Sequence, residues 1–184
     1  MNKVLVVVDM QNDFINMSLG SPEAQAIVPK VVELIKSWNE EDEIILTADT
    51  HQEDYLNTPE GLKLPIEHCI ENSKGWQIHD DILNIDMDTG IAREVTFIRK
   101  PTFGSVDLIM FLQEEYDKNP LNFEVHFCGL CTDICVVSNV LMTKAFFPDI
   151  KIVLHADCCA GVTPEKHQAA IEIMKSCQID VIGE

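Results

Sequence analysis

Short β-branched runs alternate along this chain with longer segments of helical period, and that alternation constrains the fold more than any other feature. Lys3–Val8 (KVLVVV) is apolar at every second position and between, so it reads as a strand buried on both faces. Pro22–Trp38 places Ala24, Ile27, Val28, Val31, Val32, Leu34 and Ile35 on one helical stripe, and Pro29 inside it predicts a kink or a fresh start. Further strands are expected at Glu43–Ala48, Val95–Arg99, Phe123–Gly129, Lys151–His155 and Ile179–Ile182. Helices are expected at Ser105–Tyr116, Thr132–Phe146 and Pro164–Ser176, the last opened by Thr163 as cap and Pro164 in its first turn. From Asp49 to about Asp88 periodicity fails, and so long an irregular stretch in a compact chain is usually functional. Strands linked mostly by helices predict a three-layer α/β/α fold, Rossmann-like, around a six-stranded, mainly parallel sheet. With no repeat, linker or low-complexity tract, residues 1–184 read as a single domain.

Thirteen Lys and Arg against 31 Asp and Glu set a formal charge of −18 over 184 residues. Such an excess repels phosphate backbones and anionic lipid, so neither a nucleic-acid nor a membrane partner is expected. The longest aliphatic run, Val4–Val8, is too short to span a bilayer and meets Asp9 at once, without the features of a signal peptide. Seven cysteines in no framework spacing suit a reducing, cytoplasmic setting. Cys128, Cys158, Cys159 and Cys177 read as small core hydrophobes, and no second cysteine pair has structural-zinc spacing.

In open α/β sheets ligands bind outside the carboxyl ends of the strands, so the residues that follow each strand are the place to look for a site. The first strand ends at Asp9, the second at Asp49 with His51 two residues on, the third at Lys100, and the fourth runs into CGLCTDIC. Each alone has a bland reading: carboxylates cap turns, lysines are solvated, cysteines fill cores. Together they converge on one edge. Cys135, in the first turn of its helix, is the candidate nucleophile, since amides and the helix dipole there favour a thiolate. Asp9 is the candidate base, and Lys100 between them would favour both anions.

The segments VVVDMQNDF at 6–14, DTH at 49–51, EHCIENSKGW at 67–76, KPTFGS at 100–105 and GLCTDICV at 129–136 resemble the isochorismatase-like cysteine hydrolases, and within them the nicotinamidases. ADCCAGVTPEKH and the closing QIDVIGE are similar too, so the likeness spans essentially the whole chain. The resemblance implies a triad of Asp9, Lys100 and Cys135. It also implies a cis peptide at Leu130–Cys131 that aims the amides of Cys131 and Cys135 at an oxyanion. It further implies one divalent metal ion per chain, held by Asp49, His51, His68 and Glu60, with zinc foremost and manganese or iron as alternatives. Isochorismatases generally do without that site. Phe14, Leu64, Leu130 and Ile134 are expected to wall the substrate pocket, with Trp76 or Phe103 contributing. Leu64 stands where nicotinamidases usually carry an aromatic residue against the pyridine ring.

The reaction implied is hydrolysis of a small-molecule amide, nicotinamide, to nicotinate and ammonia through a thioester on Cys135, in a chain that can form homo-oligomers. Two alternatives stay open: hydrolysis of another small amide or ureido compound, and a non-catalytic thiol-redox or binding role using Cys131 and Cys135.

Overall fold

A computed structural model describes residues 2–84 and 95–184. The end of the irregular stretch expected to reach Asp88 thus lies outside the described residues. The strands are β1 (Asn2–Val8), β2 (Glu43–Asp49), β3 (Val95–Lys100), β4 (Phe123–Leu130), β5 (Lys151–Ala160) and β6 (Asp180–Ile182). They form one six-stranded sheet in the order β3-β2-β1-β4-β5-β6, and every adjacent pair is parallel. The order reverses between β1 and β4, where β1 leads to β2 on one side and the chain later returns on the other. That is the switch point at which such sheets open a crevice.

The α-helices among the described residues are α1 (Asn12–Ile15), α2 (Pro22–Ser37), α3 (Asp80–Leu83), α4 (Val106–Lys118), α5 (Val137–Phe146) and α6 (Pro164–Ser176). Capping explains where the long ones begin: the hydroxyls of Ser21, Ser105 and Thr163 accept from Ala24, Leu108 and Lys166 amides. α2 does not begin again at Pro29. Pro29 and Gln25 both face solvent, so water can satisfy the carbonyl that loses its partner, and the helix continues.

The core is built around β1, whose Val4–Val8 run is fully buried between β2 and β4. β5 runs five residues past its expected end at His155. Phe127 of β4 faces Leu154 but Gly129 faces Cys159, so the intervening residues of β5 bulge out before pairing resumes. No helix among the described residues is long and apolar enough to cross a membrane.

Candidate active site

Period-2 alternation on β3 buries Ile98 and Lys100 and exposes Phe97 and Arg99, which places a lysine inside the protein at a strand end. Its ammonium sits 2.6 Å from Asp9 Oδ2 and 3.4 Å from both Asp49 Oδ1 and Cys135 Sγ, and it donates to the Thr102 carbonyl at 3.2 Å. Asp9 leaves β1 in the left-handed region, φ +47°, a conformation that costs a non-glycine residue and recurs at functional sites. Its Oδ1 accepts from the Thr47 hydroxyl at 2.7 Å. Among the described residues Asp9 Oδ2 meets no donor in hydrogen-bond geometry, so the ammonium is its compensation.

Burial is the dominant influence on all three groups. It works against the Lys100 ammonium, but Asp9, Cys135 and Asp49 outweigh it and hold its pKa above the ordinary lysine value. It pushes the Asp9 carboxyl up, with Asp49 adding to the rise, against the pull of Lys100 and Thr47. It also pushes the Cys135 thiol well above the ordinary range, and the Asp9 charge adds more than Lys100 removes. Both shifts favour the protonated forms, the direction in which Asp9 is suited to act as a base toward the Cys135 thiol.

The helix expected over Thr132–Phe146 divides in two. Thr132–Val136 is a π-helical turn, with the Val136 amide donating to the Cys131 carbonyl, and α5 begins only at Val137. Cys135 thus lies in a wide turn that feeds the helix rather than in its first turn. Tertiary bonds favour that geometry over continuous α-helix. The buried Thr132 hydroxyl pairs with His167 Nδ1 at 2.8 Å, and the Asp133 carboxylate accepts from the Val162 amide at 2.9 Å. The Leu130–Cys131 peptide is cis. Gly129, at φ +113°, passes so close to β1 that a Cβ there would lie 2.1 Å from the Val8 carbonyl oxygen.

On the far side of Lys100, Asp49, His51 and His68 bring three donor atoms within 4.8 Å of one another, all buried. Asp49 Oδ2 lies 3.0 Å from His51 Nε2 and 3.6 Å from His68 Nε2. His68 Nδ1 is 2.9 Å from the Ile66 carbonyl, a bond that sets the tautomer and leaves the Nε2 lone pair toward the cluster. Burial pushes the Asp49 carboxyl up, yet the adjoining His51 and His68 imidazoles and the Lys100 charge hold it well below the usual range. Two imidazoles and a carboxylate, all three residues buried, fit a divalent ion of zinc type. Glu60 lies outside this trio, its Oε1 3.8 Å from His51 and 3.9 Å from His68.

A cavity of about 630 Å³ joins the two clusters. Phe14, Leu64, Leu130 and Ile134 line it, and Cys131, Cys135, Asp49, Glu60 and His68 open onto it. Phe103 contributes a wall. Trp76 does not: its indole N–H donates to Thr50 Oγ1, and its ring packs against Phe97 and the Arg99 guanidinium. Sequence reasoning missed the residues that hold the irregular segment. Gln11 bonds both backbone groups of Asp49 and the Trp76 carbonyl, while Asp13 accepts from the Cys69 amide and the Ser18 hydroxyl. The available signal was the polar QND run directly after a buried strand.

The Isochorismatase domain family model matches residues 3–183. A nicotinamidase of Schizosaccharomyces pombe is 27% identical, with 98% of this chain and 92% of the relative covered. The crystal structure of a nicotinamidase/pyrazinamidase from Bacillus subtilis superposes with a TM-score of 0.81 at 27% identity, covering 98% of this chain and 99% of that one. A pyrazinamidase of Pyrococcus horikoshii in complex with zinc superposes at 0.80, also 27% identical, with both chains covered completely.

Proposed function

The chain belongs to the isochorismatase family, and from that premise we propose that residues 1–184 act as one metal-dependent amidohydrolase domain that converts nicotinamide to nicotinate and ammonia. The observation that carries this reading is the cavity itself, whose lining includes Cys135 together with Asp49 and His68 of the candidate metal trio. Its similarity to a zinc-bound pyrazinamidase supports it.

Asp49, His51 and His68 would hold the ion, with Glu60 reaching it directly or through water. A divalent ion bound there supplies a Lewis acid to which a ring nitrogen can be anchored. The chain's own residues do the rest. Asp9 takes the Cys135 thiol proton, and Sγ attacks the amide carbon. Negative charge develops on the carbonyl oxygen, within reach of the Cys131 and Cys135 amides. The carbon–nitrogen bond breaks as Asp9 passes its proton to the nitrogen, and ammonia leaves a thioester on Cys135. Asp9 then takes a proton from water, the resulting hydroxide attacks the thioester, and the carboxylic acid departs as that proton returns to Sγ, ionising to the carboxylate by releasing its own proton to solvent. Lys100 keeps Asp9 from becoming an uncompensated buried charge at the two points where it is ionised.

A second reading, hydrolysis of another small amide or ureido compound, draws on Leu64, which offers an aliphatic wall rather than an aromatic face. Assay of ammonia release from nicotinamide and from non-aromatic amides separates the two, with intact-mass detection of an acyl adduct on Cys135. Turnover of nicotinamide above all others is expected. No turnover and no adduct with any amide would remove the hydrolase reading.

A further inference from the structure

Lys100 and Cys135 must stand 3.4 Å apart, yet the sheet does not set that distance. β3 and β4 are separated by β2 and β1, so at about 4.8 Å per strand their carriers lie about 14 Å apart in the sheet. Loop 101–105 after β3 and the π turn after β4 have to close that gap. One side chain joins them. Asn139, in the first turn of α5, is fully buried. Its Oδ1 accepts from the Ser105 amide at 2.9 Å, and its Nδ2 donates to the carbonyls of Phe103 at 3.1 Å and Cys135 at 2.8 Å. The same loop supplies the Thr102 carbonyl that accepts from Lys100. It lies hard against α5: a Cβ on Gly104 would meet Met142 Sδ at 2.3 Å.

We propose that Asn139 is a positioning residue for the hydrolysis, its carboxamide locking the turn that carries Cys135 to the loop that braces Lys100. The inference rests on the function proposed above. An amide is the group that can accept from one backbone N–H and donate to two carbonyls at once. Asn139→Asp keeps the size and the acceptor but loses both donors. Asn139→Ser loses the reach without adding charge, which separates loss of the lock from the field of a new carboxylate.

The test combines steady-state kinetics on nicotinamide with peptide-resolved alkylation of Cys135 by iodoacetamide across pH, Cys177 serving as internal control. Both variants are expected to lose about 10²-fold in kcat, with KM within a few-fold of wild type. The alkylation profile of Cys135 should be displaced in both, and that of Cys177 unchanged. A merely structural asparagine predicts lower stability but unchanged kcat per folded chain and an unchanged Cys135 profile; that result overturns the proposal. So does unfolding by both substitutions, which assigns Asn139 to stability alone. If the wild-type protein does not turn over nicotinamide, the function reading fails by itself, and the alkylation profiles still decide the role of Asn139.

Discussion

Two polar clusters sit on the same sheet, and the penalty of burial meets different opposition in each. At the carboxyl ends of β1, β2 and β3, the Asp9, Asp49 and Lys100 side chains pair as ions beside Cys135. Within β4 and β5, His126 Nδ1 lies 3.0 Å from His155 Nε2, with Trp38 packed edge-on against both rings. Burial penalises charge in both places. In the first cluster a lysine without access to water supplies the compensating charge. In the second, Glu124 is the nearest carboxylate to His126, but Lys3 and Lys151 share it. Burial therefore prevails there: it lowers His126, and together with His126 it brings His155 down to about 4. What separates a charged interior from a neutral one is a single fixed counter-charge.

The largest test of that contrast is Cys135→Ala, which removes the proposed nucleophile and leaves the ion pairs. Turnover should fall by about 10⁴-fold or more with an unchanged circular dichroism spectrum. Next is Lys100→Met, which turns the charged cluster into two uncompensated carboxylates. Urea denaturation should register a loss of about 3–5 kcal/mol, kcat should collapse, and Cys135 should alkylate only at higher pH. Lys100→Arg should also be poor, because a forked guanidinium does not replace a point charge in a tight site. His51→Ala and His68→Ala come third. Elemental analysis should show metal falling well below one ion per chain in each, and wild-type affinity should weaken as pH drops through the histidine range, because the ligands must be deprotonated.

The smallest effect belongs to the neutral cluster. The folded pKa of His155, about 4, lies below its ordinary 6.5, so between those values the unfolded chain binds more protons. Its contribution is complete above about pH 6.5 and is lost as pH falls toward 4. Discounted for partial solvent access, the loss is about 1–2 kcal/mol. Comparing urea midpoints of wild type and His155→Gln at pH 7 and pH 4.5 isolates it, and an equal decline in both proteins would assign acid sensitivity to other groups.

Much of the site was legible in the chain because a parallel sheet delivers its strand ends to one edge. Asp49 and Lys100 end their strands and Asp9 directly follows its own, and hydrophobic period alone located them. His51 followed from its spacing to Asp49. His68 and Glu60 were reached through resemblance, since nothing local marks a loop residue as a ligand. Gln11, Asp13 and Asn139 escaped because their roles are bonds to backbone groups far along the chain, and a polar residue beside a strand or inside a helix carries no mark of its partner.

The sequence by itself determined the order of strands and helices, the caps that start them, and the side of the sheet on which the chemistry collects. Those properties depend on neighbours within a few residues. Tertiary structure alone decided that β1 and β4 would flank the switch point, that Thr132–Val136 would form a π turn rather than the first turn of α5, and that burial and Asp9 would raise the Cys135 thiol. Each depends on groups dozens of residues apart: His167 on Thr132, Val162 on Asp133, Asp9 on Cys135. Local propensity is a sum over near neighbours, whereas a buried charge responds to whatever the fold has placed around it.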